Sequence, residues 1–207
     1  MAVNLETGDW VMVRPAAGHA RWWERGILLS AEHTHDELLV CPDKGEPYAC
    51  DVRPGGATRI EFKDRLRQVE AGQIVMAVFR WHSYQVEPMV DSMAHREFQE
   101  TIKTAVDIGI RLRLQYDWTA ILNHARNFIR AKLRVKWLPP VLIGHKEWRV
   151  FCTEYCFIAY DLAGIDMNAL TGNQPLPAPC HPERLVRNKM FTCIKDYGLM
   201  RHLTHGR

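Results

Sequence analysis

No apolar run in this 207-residue chain approaches the roughly 18 to 20 residues that a bilayer-crossing helix requires. No internal repeat and no low-complexity tract is visible either, and the composition excludes a collagen, a coiled coil and a disordered chain. Charge of one sign is scarce: 27 Lys and Arg against 24 Asp and Glu leave a net charge of +3. A dedicated nucleic-acid binder carries a larger, clustered basic excess, so nucleic acid is an unlikely partner on this count. The six cysteines, Cys41, Cys50, Cys152, Cys156, Cys180 and Cys193, include no Cys-x-x-Cys pair. The nearest spacing, Cys152-x-x-x-Cys156, is one helical turn and would need ligands from elsewhere to hold zinc, so neither a metal nor a cofactor is expected. The opening residues Met1 to Gly8 lack the basic and apolar regions of a secretory signal. The expectation is therefore a cytoplasmic or virion-associated chain with free thiols rather than a disulfide framework.

What is present is an ordinary globular mix, 47% apolar and 25% charged, enough for one domain with a proper core across residues 1–207. The first half reads as strands. Trp10 to Arg14 follows a turn at Thr7-Gly8-Asp9, Gly26 to Ser30 is a short buried run, and Glu37 to Cys41 and Tyr48 to Arg53 flank a hairpin turn at Pro42-Asp43-Lys44-Gly45. Pro54-Gly55-Gly56 breaks the chain, and Gln73 to Arg80 is the strongest strand. The second half is helical. Val90, Met93, Phe98, Ile102, Val106 and Ile110 recur at helical spacing, Trp118 to Arg130 suggests a second helix, and Phe151 to Ala163 a third, closed by Gly164. Thr171 to Pro182 reads as a loop, Glu183 to Asn188 as a short helix, and Lys189 to Ile194 as a last strand. Strands gathered early and helices late predict an α+β fold.

A nucleophilic cysteine needs a favoured thiolate, a histidine to exchange its proton and donors for the oxyanion of the tetrahedral intermediate. A helix start supplies the first and third through free N–H groups and its dipole. Cys152 fits: it follows the strand-like Trp148-Arg149-Val150-Phe151 and precedes Thr153-Glu154, which suit a first helical turn. Cys156, one turn deeper, reads as a packing residue, and Cys152 itself has the alternative reading of a small buried hydrophobe. Of the ten histidines, His35 stands out because it opens the strand Asp36-Glu37-Leu38-Leu39-Val40; His33, of the same side-chain parity, is its rival.

Five segments in register then resemble a family: Gly8-Asp9-Trp10-Val11; Thr34-His35-Asp36-Glu37-Leu38-Leu39-Val40; Tyr48-Ala49 to Gly55-Gly56; Gly109 with Tyr116-Asp117-Trp118; and Phe151-Cys152-Thr153-Glu154-Tyr155 with Ala163-Gly164-Ile165. The chain resembles, over about residues 8–190, the permuted papain-like cysteine hydrolases of the NlpC-like cell-wall peptidase clan, the group of the YiiX-like proteins and the lecithin–retinol acyltransferase relatives. The order His-before-Cys marks the permutation. The resemblance implies a circularly permuted papain-like fold, an antiparallel sheet packed on helices, with Cys152 as nucleophile and His35 as base. Thr153 stands where Ser is usual, Asp36-Glu37 where the family tends to have Val-Gly, and Tyr48-Ala49 where it often has Glu-Ala. The orienting third residue is assigned to Asp51, the nearest acid on the hairpin, with Tyr48 and Glu46 as alternatives. Tyr116 and Asp117 match an element near the cleft.

The resemblance thus implies an amide or peptide hydrolase working through an acyl-cysteine, on peptidoglycan peptides, isopeptide bonds or, less favoured, lipid acyl chains. The contrasting expectation is a non-catalytic binding or virion-structural protein on the same fold, using the basic stretch Arg126, Arg130, Lys132, Arg134 and Lys136 as its contact surface.

Overall fold

In the computed structural model, which describes residues 4–28, 34–53, 55–81, 93–116, 149–150, 152–167 and 191–205, the alternating apolar segments of the first half pair into a sheet. The strands are β1 (Trp10–Pro15), β2 (His35–Val40), β3 (Tyr48–Arg53), β4 (Gly56–Glu61), β5 (Ile74–Trp81), β6 (Gln115–Tyr116), β7 (Arg149–Val150) and β8 (Phe191–Tyr197). Six of them form an antiparallel sheet in the order β4-β3-β2-β1-β5-β8, while β6 and β7 make a separate parallel pair. The helices are α1 (Trp22–Leu28), α2 (Phe62–Glu70), α3 (Met93–Leu112), α4 (Cys152–Leu162) and α5 (Met200–His205). The class is α+β, as the residue pattern predicts.

Alternation along the strands divides the core in two. One face of the sheet turns Trp10, Met12, Leu38, Cys50 and Phe79 towards Ile102 and Val106 of α3 and Tyr155 to Tyr160 of α4. The other turns Val11, Val13, Leu39, Ala49 and Val78 towards Phe62, Leu66 and Val69 of α2. Full burial of a side chain such as Leu38 or Phe79 contributes about 1.5–3 kcal/mol. The register Val13↔His35 and Leu38↔Cys50 sets β2 between its two neighbours, and all six of its residues are buried.

α4 is apolar around most of its circumference, and eight of its eleven residues are buried. Two tyrosines dock it: Tyr155 Oη donates to the Ala105 carbonyl at 2.8 Å, and Tyr160 Oη to the Gly8 carbonyl at 2.5 Å. Gly8, at φ +98°, supplies the turn that presents that carbonyl. Gly164, at φ +84°, ends the helix as expected, with its N–H bonded to Asp161 and that of Ile165 to Tyr160.

Several elements differ from the sequence expectation. Of the expected strand Gly26 to Ser30, the described residues 26–28 belong to α1, whose start is capped by Glu24 Oε2 accepting the Arg21 N–H at 2.6 Å. β4, α2, β6 and α5 have no counterpart in the expected series. β4 is an edge strand with exposed Thr58 and Arg59 and so lacks a strong apolar alternation. The helix expected over Trp118 to Arg130, the loop 171–182 and the short helix at Glu183 to Asn188 lie outside the described residues.

Candidate active site

Cys152 is the first residue of α4 and only 6% exposed. Its Sγ donates to the Thr34 carbonyl at 3.8 Å, and the N–H groups of Asp36 and Thr153 point at it. The sulfur thus rests on backbone groups flanking His35. Those N–H groups favour a thiolate, as the helix start predicts, but they do not win. Burial, and then the Asp36 carboxylate, push the Cys152 thiol up to about 12. Cys41 and Cys50 are pushed to about 12 as well, chiefly by burial, and Cys156 and Cys193 are raised for the same reason. Cys152 is set apart by its place rather than by its titration, whose direction runs against the thiolate that a helix start favours.

His35 alternates with Asp36 along β2, so the two side chains leave opposite faces of the strand. Asp36 turns to α4, where Oδ2 accepts the Thr153 hydroxyl at 2.5 Å and Oδ1 the Trp10 indole N–H at 2.8 Å. The His35 imidazole turns the other way, towards α1 and α2. Its Nε2 lies 3.2 Å from Glu24 Oε1, and its Nδ1 lies 3.8 Å from Asp51 Oδ1. Glu24 can only accept when ionised, so that bond places a proton on Nε2. Asp51 is in turn paired with Arg53 and with Arg65, whose Nη2 is 2.8 Å from Oδ2. Arg65, 1% exposed, also forks onto Glu37 and reaches Gln68 at 2.9 Å.

These neighbours set the carboxyls differently. Burial pulls Glu24 upward, yet the bonds from His35 and the Arg21 N–H together outweigh it and hold the group below the ordinary range. Burial likewise raises Asp51, but His35, Arg53 and Arg65 outweigh it and the net direction is down. Glu37 ends above the ordinary range: its burial is complete, and Arg65 compensates only in part. A cavity of about 150 Å³ opens over this cluster, lined among others by His19, Arg21, Glu24, His35, Arg53 and Arg65.

The structure therefore brings His35 and Asp51 together, and sets Cys152 against the backbone on either side of His35, while the imidazole and the α4 helix occupy opposite faces of β2. Of the alternative third residues, Tyr48 does not reach the ring: its hydroxyl donates to Asp107 at 2.6 Å on the α3 face. Glu46 is exposed in the hairpin loop. His33, Asp117, Trp118 and the basic stretch Arg126 to Lys136 lie outside the described residues, and Tyr116 is placed in β6. Sequence reasoning missed Glu24, whose first-turn position follows only once Trp22-Trp23-Glu24 is read as a helix start. It also missed Arg65, in the unanticipated α2, whose apolar spacing Phe62, Leu66 and Val69 was the available signal.

Among the described residues, no group of three or more His, Cys, Asp or Glu has the arrangement to hold a metal ion, and no helix is long and apolar enough to cross a membrane. No protein-family model matches the chain, and no curated protein matches it significantly.

Proposed function

We propose that the chain is a cysteine-dependent amide or peptide hydrolase on a circularly permuted papain-like fold, acting through an acyl-cysteine, with peptidoglycan peptides or isopeptide bonds as the substrate class. The observation that carries this reading is the meeting of four elements: the buried helix that Cys152 opens, with its sulfur seated on the strand residues beside His35, and the two elements that supply Glu24 and Asp51 to the imidazole. With Nε2 protonated towards Glu24, Nδ1 is the basic nitrogen.

The raised thiol favours general-base attack over a resting thiolate–imidazolium pair. The imidazole and the start of α4 lie on opposite faces of β2, so the reaction requires that substrate binding release the sulfur from the Thr34 carbonyl and reshape the start of β2 until Nδ1 of His35 meets the thiol. Nδ1 takes the thiol proton as the S–C bond forms, and the Cys152 N–H meets the oxyanion. The C–N bond then breaks, with the proton passing to the leaving amine. Water, deprotonated by His35, attacks the thioester; the acid leaves and the thiol is restored. Asp51 and Glu24, the carboxylates that flank the ring in the resting arrangement, favour the imidazolium formed in between.

The test is acid quenching during turnover of a peptide and isopeptide panel, followed by mass spectrometry. An acyl adduct on Cys152 is expected, absent in Cys152→Ala and much reduced in His35→Ala. Hydrolysis by Cys152→Ala at the wild-type rate would overturn the proposal.

A further inference from the structure

Asp36 has a place that the proposed chemistry does not yet use. It directly follows His35 in β2, and its carboxylate accepts the hydroxyl of Thr153, the residue directly after Cys152. The same carboxylate accepts the Trp10 indole N–H, and the Asp36 backbone N–H points at the Cys152 sulfur. One residue that is 1% exposed thus ties the strand carrying the imidazole to the first turn of the helix carrying the thiol.

We propose that Asp36 is a positioning residue for this hydrolysis: its carboxylate pins the Cys152 turn to β2 and is thereby held beside the sulfur. The inference rests on the hydrolase reading for its catalytic half only. A buried carboxylate at a helix start ordinarily favours the helix by complementing its dipole. Here it also stands against the one anion that the helix start would otherwise stabilise, and so opposes early ionisation of the nucleophile. The other groups around Cys152 do not supply this control equally. β3 offers Asp51 and the neutral thiol of Cys50, β2 also carries His35, α4 itself carries Glu154 and Cys156, and α3 meets the helix through Ala105 and Gly109. Asp36 is the strongest charge acting on both Cys152 and Cys156.

Two substitutions separate charge from anchorage. Asp36→Asn keeps the shape and a hydrogen bond to Thr153 but removes the charge; Thr153→Val keeps the charge and removes the bond. The rate of Cys152 alkylation by iodoacetamide, read residue by residue by mass spectrometry between pH 7 and 9.5, should rise about tenfold in Asp36→Asn for each unit by which the thiol moves down. Thr153→Val should show no such rise, which excludes simple opening of the site as its cause. In turnover, Thr153→Val should lower kcat with little change in KM, and Thr153→Ser should restore it. An unchanged alkylation profile in Asp36→Asn, or wild-type kcat in Thr153→Val, overturns the proposal. Should Asp36→Asn fail to fold, the Thr153 pair still decides the anchoring role. Alkylation does not depend on turnover, so failure of the hydrolase reading, seen as wild-type hydrolysis by Cys152→Ala, is distinguishable from failure of the role assigned to Asp36.

Discussion

Replacing Arg65 by Met would remove a buried charge and leave a side chain of similar length that still fills its space. Arg65 is 1% exposed, forks onto Glu37, and pairs with Asp51 at 2.8 Å. Without it, two buried carboxylates lose their shared cation, and breaking a buried ion pair in this way costs about 3–5 kcal/mol. At about 2–4 °C per kcal/mol for a chain of this size, Tm should fall by about 10 °C. The pH dependence has a definite sign. Glu37 already stands above the ordinary carboxyl range because of its burial, with Arg65 the strongest charge opposing that rise. Loss of Arg65 pushes it higher. A carboxyl raised in the folded state costs stability at neutral pH, and the cost shrinks as pH falls through the folded value and the group protonates. Urea unfolding at pH 7.5 and pH 5.5 should therefore show a larger deficit for Arg65→Met at the higher pH. The control is Arg67→Met, which removes an exposed pair with Asp64 worth at most about 1 kcal/mol. A deficit for Arg65→Met below about 1 kcal/mol at pH 7.5, or one independent of pH, would refute this account of the cluster.

Glu24→Gln should remove a carboxylate whose folded value is held down, so the stability it contributes is present above the ordinary carboxyl range and lost as pH falls through the folded value. Plots of Tm against pH from 3 to 7 should converge for wild type and variant at the acid end; parallel plots would contradict the Glu24–His35 bond. Gly109→Ala places a methyl 2.5 Å from the Tyr155 hydroxyl and 2.8 Å from its ring, so α3 and α4 must part at a cost of about 1–3 kcal/mol. Denaturant midpoints should show that loss, and Tyr155→Leu in the same chain should recover part of it.

The buried strands were legible from residue order, because Trp10 to Arg14 follows a turn and Gln73 to Arg80 is a short run rich in β-branched residues. The helix opening at Cys152 was legible for a similar reason: a polar first turn, an apolar body and a closing glycine leave little choice. The segment around Trp22 was not, since two tryptophans and an Ile-Leu-Leu run suit a buried strand as well as a helix, and a side-chain cap from Glu24 decides the matter. The orientation of the candidate site was harder still. Asp51 could be singled out as an acid on the right hairpin, and it does lie beside His35. Glu24 could not, because its bond to the ring depends on how α1 docks, which no local pattern encodes. Nor could the upward shift of the Cys152 thiol be read: helix-start geometry favours a thiolate, and burial together with the face on which Asp36 projects runs the other way.

The full burial of β2 on both faces makes the chain intolerant of a one-residue length change there. Sliding this strand by a single position would exchange the two sets of side chains, sending the imidazole under Trp10 and the Asp36 carboxylate in among Glu24 and Asp51. Asp43 to Glu46, by contrast, are exposed on the hairpin that leaves the strand. Natural variation in length should therefore collect at residues 43–46 and stay out of residues 35–40, and a tag or reporter inserted into this half of the protein belongs at the former position.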